Sequence, residues 1–278
     1  MEIKILVSHH KDGYLYEDKI YQPIHVGKNN SNLDLFILGD NEGENISNLN
    51  PYYCELTATY WAWKNLDSEY KGICHYRRYF WHKNIFSISF FLSKLKYNIE
   101  VFFNFSNFFK KRYLKTIFFS QLIIDNSVKI DYINKFSVWL EKDISQNLID
   151  VYSLKPSKNV IMTNYELFSI IGEKYLEQLK EIIAKDYLGY SHFLNLTLLS
   201  KELHSANMVI MKKDIFEEYS IFIFGVLEKH YNINKSEIEK GGYKRVSGYM
   251  AEILTNMFII KKESQNFKIK YLNLLFVK

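Results

Sequence analysis

The first eleven residues confine the fold more tightly than any other stretch. Ile3 to Val7 form a short apolar run that breaks directly into Ser8-His9-His10-Lys11-Asp12-Gly13. A run of that length, closed by turn residues, reads as a buried strand. Short apolar runs, polar turns and a helical pattern then alternate through the first third of the chain, which predicts an α/β layout. Only three prolines and eleven glycines punctuate 278 residues, so linkers are scarce. The chain reads as a single domain over 1–278 without internal repeats.

The N-terminal stretch lacks a basic segment followed by a long apolar core, so it does not read as a signal peptide. No stretch approaches the roughly 20 apolar residues of a membrane span. Cys54 and Cys74 have neither metal-ligand spacing nor a disulfide framework, and a reduced, cytoplasmic setting is expected. A formal charge of +5 is too mild to point to nucleic acid. The chain has no P-loop, no Gly-rich dinucleotide fingerprint, no Gly-x-Ser-x-Gly elbow and no His-Glu-x-x-His. Its histidines show no metal-ligand pattern, and no Asp-x-Asp occurs in the first hundred residues.

Asn50-Pro51 reads as a helix start, with Asn50 as the cap and Pro51 in the first turn. Tyr53, Leu56, Tyr60 and Trp61 follow at helical spacing. Gly72 to His75 read as a short strand leading into a loop. Asn159 to Asn164 suggest a second buried strand, residues 165–188 a helix, and 206–231 a strand followed by a long helix. Residues 243–259 read as another helix, from which Arg245, Tyr249 and Glu252 project on one face.

Four places carry candidate chemistry. His10 and Lys11 follow the first strand, where open α/β sheets bind ligands; a solvated turn is the alternative. The segment from Asp40 to Asn50 concentrates Asp40, Asn41, Asn45 and Asn50 just ahead of Glu55. Asp and Asn form turns through their own side chains, and they also suit sugar hydroxyls. His75-Tyr76-Arg77-Arg78 places two guanidiniums after a strand, either to clamp a diphosphate or to lie over aromatic surface. Arg245 and Glu252 form either a solvated helix face or, with Glu252 in a cleft, a general base.

Residues 84–120 differ in character, with twelve aromatics and six basic residues against the single acid Glu100. We read 84–130 as an insertion. It suits either a membrane interface or a helical subdomain with its Phe residues turned inward.

The blocks HHK, DNEGENISNLNPYYCELTATYWAWKN, YKGICHYRRYF, ANMVIMKKDIF and RVSGYMAEIL resemble, in the same order, a family of bacterial polysaccharide-biosynthesis proteins long catalogued as a domain of unknown function. The family occurs in capsule, exopolysaccharide and O-antigen clusters, and some members are assigned as galactofuranosyltransferases. The resemblance implies a GT-A-like α/β fold, a Rossmann-type nucleotide-sugar-binding sheet flanked by helices. It also implies transfer of a sugar, with galactofuranose expected, from a UDP-sugar to a growing glycan. The motif positions are His10, Lys11, Asp40, Asn41, Asn45, Asn50, Glu55, Tyr60, Trp61, Lys64, His75, Tyr76, Arg77, Arg78, Asn207, Met208, Arg245 and Glu252. On this reading Arg77 and Arg78 neutralise the leaving UDP in place of a metal, although Mn²⁺ or Mg²⁺ stays open. Glu252 is the first choice of base for an inverting transfer, and Asp40 the second. A location on the cytoplasmic face of the membrane would suit a lipid-linked acceptor. Two other classes compete: a non-catalytic glycan-binding or scaffold subunit, and a glycan-modifying phosphotransferase.

Overall fold

The computed structural model describes residues 1–83, 121–124, 129–159, 162–204 and 206–277. Strand β1 (Ile3–His9) lies between two parallel neighbours, β2 (Tyr21–His25) and β4 (Tyr70–His75), and β2 carries the short parallel edge strand β3 (Leu38–Gly39). The four therefore run β3-β2-β1-β4 with their carboxyl ends along one edge.

The rest of the sheet departs from an open, doubly wound layout. Strand β10 (Val209–Lys212) pairs antiparallel with β4 and with β7 (Val151–Leu154). Strand β11 (Ile269–Val277) runs parallel to β7 and antiparallel to β5 (Arg78–Trp81), and β5 returns to β4 through the pair His75↔Arg78. The hydrogen-bonded ladder β4-β10-β7-β11-β5 closes on itself. Strand β6 (Gln121–Ile124), inside the stretch read as an insertion, pairs parallel with β11. Residues 84–120 and 125–128 lie outside the described part of the chain, so the membrane or subdomain reading of that segment rests on its sequence. Among the described residues no helix is long and apolar enough to cross a membrane.

Both faces of the sheet are covered, which explains why its strands read as nearly continuous apolar runs. Leu6, Ile24, Ile73 and Val209 pack on one side with the helices α2 (Leu56–Asn65), α4 (Asn164–Asp186), α6 (Lys213–Ile233) and α8 (Val246–Ser264). Ile5, Val7, Tyr21 and Cys74 pack on the other side with Phe136 and Leu140 of α3 (Lys129–Asn147). Gly72 is required where β1 and β10 crowd β4: a Cβ there would stand 2.9 Å from Ile5 Cγ1 and 3.0 Å from Ile210 Cγ1.

Three local expectations need correction. Asn50 does not cap a long helix. It opens the four-residue α1 (Asn50–Tyr53), whose cap residue is Leu49, and the chain breaks at Cys54 before α2 begins. The Asn50 amide donates to the Cys54 carbonyl (2.8 Å) and to Thr57 Oγ1 (3.2 Å), so it holds that break together. Residues 162–164 form no strand: Thr163 caps α4 through a capping box with Glu166, and this takes the chain straight into the helix. Arg245 precedes α8 as its left-handed cap residue rather than sitting on the helix face.

His9 and His25 are register partners at the carboxyl ends of β1 and β2. Both rings are buried, and none of their four nitrogens has a hydrogen-bond partner among the described residues. Burial lowers both pKa values from the ordinary 6.5, His9 to about 4, with the nearby His10 and His25 adding to the effect on His9. The unfolded chain therefore binds more protons across that interval, so the stability is present above pH 6.5 and is lost as the pH falls toward 4. We expect His9→Phe to spare the protein on the order of 2 kcal/mol of that acid loss, measured by urea unfolding across the interval. Parallel pH slopes for the two proteins would remove the buried imidazole as the cause.

Candidate functional site

The site assembles where the backbone is strained. Four of the eight non-glycine residues with positive φ among the described residues converge on it: Cys54 (53°), Ala206 (75°), Asn207 (48°) and Arg245 (65°). Left-handed backbone costs an L-residue roughly 1–2 kcal/mol, and such conformations persist where the surroundings enforce them. Here the enforcing bonds can be named. The Arg245 N–H donates to the Pro51 carbonyl at 3.3 Å. The Asn207 amide donates to the Gly248 carbonyl (3.1 Å) and to Glu55 Oε1 (3.0 Å). Thr255 Oγ1 donates to the side-chain Oδ1 of Asn207 at 3.4 Å, and it also meets the buried Tyr219 hydroxyl at 2.9 Å.

Ala206 then serves two side chains with its own backbone. Its N–H donates to Glu252 Oε1 at 3.0 Å, and its carbonyl lies 2.7 Å from His75 Nε2. A carbonyl only accepts, so His75 carries its proton on Nε2 and its Nδ1 is left as the basic nitrogen. Glu55, His75 and Glu252, from three different elements, are thereby gathered around one turn at the carboxyl end of β4. His10, at the end of β1, feels the charges of Lys11, Arg245 and Glu55 from the same side.

Glu252 is the most perturbed acid there. Burial pushes its pKa up to about 7 and the negative charge of Glu55 adds to the rise, while the Ala206 N–H, Arg78 and Arg245 oppose it. Burial keeps His75 below its usual range, and Arg78 reinforces this against the opposing pull of Glu55 and the Ala206 carbonyl. Cys54 is no nucleophile at neutral pH, because burial and the adjacent Glu55 raise its thiol to about 12. The ensemble is thus a carboxyl poised near neutrality, a neutral imidazole and two guanidiniums. Among the described residues no group of three or more His, Cys, Asp or Glu stands at metal-holding distances.

The two adjacent arginines are not equivalent. Arg78 acts on Glu252 and His75. Arg77 is exposed, with its guanidinium 5.7 Å from the Tyr76 ring centre and 5.0 Å from that of Phe276. Tyr76 itself packs against His9, His10 and Lys11. The guanidinium that shares the cluster with Arg78 is Arg245.

The polar loop has another arrangement. Asp40 is buried, and its carboxylate accepts from the Gly27 N–H (2.7 Å), the Lys28 N–H (3.1 Å) and the Ser47 hydroxyl. The Asn45 amide donates to the carbonyls of Asn41 (3.0 Å) and Gly43 (2.9 Å). Trp61 Nε1 donates to the Glu42 carbonyl, Tyr60 donates to Glu44, and Lys64 pairs with Glu44. Asp40, Asn41 and Asn45 therefore fold the loop, while Glu42, Glu44 and Asn50 fasten it to α2. The expectation that Asp40 is a base has no support in this placement. Met208 is buried in the core on the far face. The residues that sequence reasoning missed are Ala206 and Cys54, whose contribution is backbone conformation and carries no side-chain signature.

Two tests follow from this geometry. Folded, Glu252 holds its proton from its ordinary 4.5 up to about 7, so its ionisation costs stability as the pH rises through that window. Glu252→Gln should be more stable than the wild type by roughly 1–2 kcal/mol at pH 8, a gain that fades by pH 4.5. Chemical denaturation at both pH values measures this, and a pH-independent difference contradicts it. Asp40→Ala should lose about 3 kcal/mol in the same assay, since it strands two backbone donors and a hydroxyl.

With this geometry in place, comparison with known proteins yields two matches. The family model described as a domain of unknown function, DUF4422, matches residues 4–263. A solved structure of a bifunctional glycosyltransferase, WbbM, without ligand is similar over the whole chain at 29% identity with a TM-score of 0.77. This chain spans 46% of that protein's length. No functionally curated protein matches.

Proposed function

We propose that this chain, which belongs to the DUF4422 family, is a glycosyltransferase that moves a sugar from a UDP-sugar to a hydroxyl of a growing bacterial surface glycan. The observation that carries the reading is Glu252: a carboxyl with a pKa of about 7, tethered beside His75 and under the influence of Arg78 and Arg245. The likeness to a glycosyltransferase supports the reaction class. The parallel block β3-β2-β1-β4, with the cluster at its carboxyl edge, supports a GT-A-like mode of donor binding.

The reaction follows from these groups. The acceptor oxygen attacks the anomeric carbon of the donor and gives up its proton to Glu252, whose pKa suits a base at neutral pH. The bond between that carbon and the diphosphate oxygen breaks, and its electron pair leaves with UDP. Arg78 and Arg245 stabilise the charge that develops on the diphosphate, in the role that a divalent cation takes elsewhere. Glu55, held by Asn207, stays available to sugar hydroxyls, and a single displacement of this kind inverts the anomeric centre. Galactofuranose as the sugar belongs to the same proposal on the strength of the family resemblance, and a lipid-linked acceptor at the cytoplasmic face on the strength of the aromatic and basic sequence of 84–120.

Binding and hydrolysis of a panel of UDP-sugars, in EDTA and in Mn²⁺, test this reading. Arg78→Ala should weaken UDP binding about tenfold or more, while Arg77→Ala stays near wild type. Glu252→Gln should keep UDP affinity and lose roughly 10²–10⁴-fold in turnover. Failure to bind any nucleotide in either condition moves the glycan-binding subunit ahead, and a strict Mn²⁺ requirement removes the metal-free part.

A further inference from the structure

Phe36 stands out on the surface away from the cluster. Its backbone is left-handed (φ 54°), and the residue is 91% exposed. Asp34 fixes the turn, since its carboxylate accepts from the Phe36 N–H at 3.1 Å and from Lys28 Nζ at 3.0 Å. The chain therefore tolerates backbone strain while displaying an aromatic ring to solvent, which is the reverse of what folding favours.

Phe36 lies at an open cavity of about 410 Å³ against the β3 edge, lined also by Glu17, Gln22, Leu38 and Glu42. The side chains of Glu17, Gln22 and Glu42 make no hydrogen bond or ion pair among the described residues. An apolar ring beside two carboxylates and an amide with unused capacity matches a sugar, which offers a C–H face and a rim of hydroxyls. Strand β3 lies three strand spacings from β4, about 14 Å, so a ligand here is not the sugar reacting beside His75. Glu42 lies two residues after Asp40 in the loop ahead of α1, while Gln22 and Pro23 belong to the amino-terminal half of β2, so the cavity is separate from the cluster at the carboxyl ends of the strands.

We propose that this cavity is a carbohydrate subsite that grips the acceptor glycan several residues from its reacting end. The word acceptor rests on the transferase reading, whereas the binding of carbohydrate does not. The test is calorimetric titration of the full chain with a galacto-oligosaccharide and a gluco-oligosaccharide, each of six to eight sugars, and separately with UDP. We expect the wild type to bind at least one oligosaccharide, and Phe36→Ala and Glu42→Gln each to weaken that binding about fivefold while leaving UDP affinity unchanged. Both residues are solvent-exposed, so the variants fold. The proposal is overturned if neither oligosaccharide binds the wild type, if the variants bind as well as the wild type, or if UDP affinity falls in step, which would make the cavity a nucleobase site. Oligosaccharide binding without UDP binding keeps the subsite and removes the transferase; UDP turnover without oligosaccharide binding does the opposite.

Discussion

The arrangement at the carboxyl edge of the sheet depends on one turn, Ala206-Asn207. Its two consecutive left-handed residues direct an N–H to Glu252, a carbonyl to His75 and a side-chain amide to Glu55. Straightening either residue would turn those donors and acceptors away and leave the Glu252 carboxyl without its hydrogen bond. The strain is offset from the core, where Thr255 and Tyr219 hold the far side of Asn207. Chemistry near neutral pH, a strained backbone and a rigid helix packing are therefore one coupled feature.

The closed ladder adds a second constraint. His75 and Arg78 are partners in the β4–β5 hairpin, and that hairpin is the seam where the ladder meets itself. Neither backbone can shift without breaking the closure, so the relative positions of the His75 and Arg78 Cα atoms are set by the sheet. Arg245, by contrast, enters from a cap outside α8 and is held through the Pro51 carbonyl. One cation belongs to the sheet and the other to the helical layer, and on the proposed transferase reading a diphosphate would bridge them.

How much of this was legible in the sequence differs by element. The first strand, the strand-then-helix at 209–233 and the helix of residues 246–264 could be read because apolar spacing reports burial directly. The closure of the sheet could not, since β7 and β11 are brought together by pairings more than a hundred residues apart. Glu252, Glu55 and His75 were legible as candidates through motif residues. Their gathering was not, because it runs through the backbone of Ala206, a residue with no preference for left-handed geometry. The Asp40 loop misled for a definable reason. Carboxylates and amides that knit a turn are the same groups that would bind a sugar, and sequence does not say which way they face.

The seam at β11 has a consequence for how such chains diversify. Leu274 pairs with Phe80 on one side and with Gln121 on the other, so β5 and β6 flank β11 on opposite sides. The two anchor points stand about two strand spacings apart, near 10 Å. Loop-closure entropy rises only slowly with length, so the segment bridging them can grow, shrink or be exchanged at small thermodynamic cost. A change in the length of that connection would leave the β4–β5 hairpin bearing His75 and Arg78 in register, because β11 holds β5 through its own pairings.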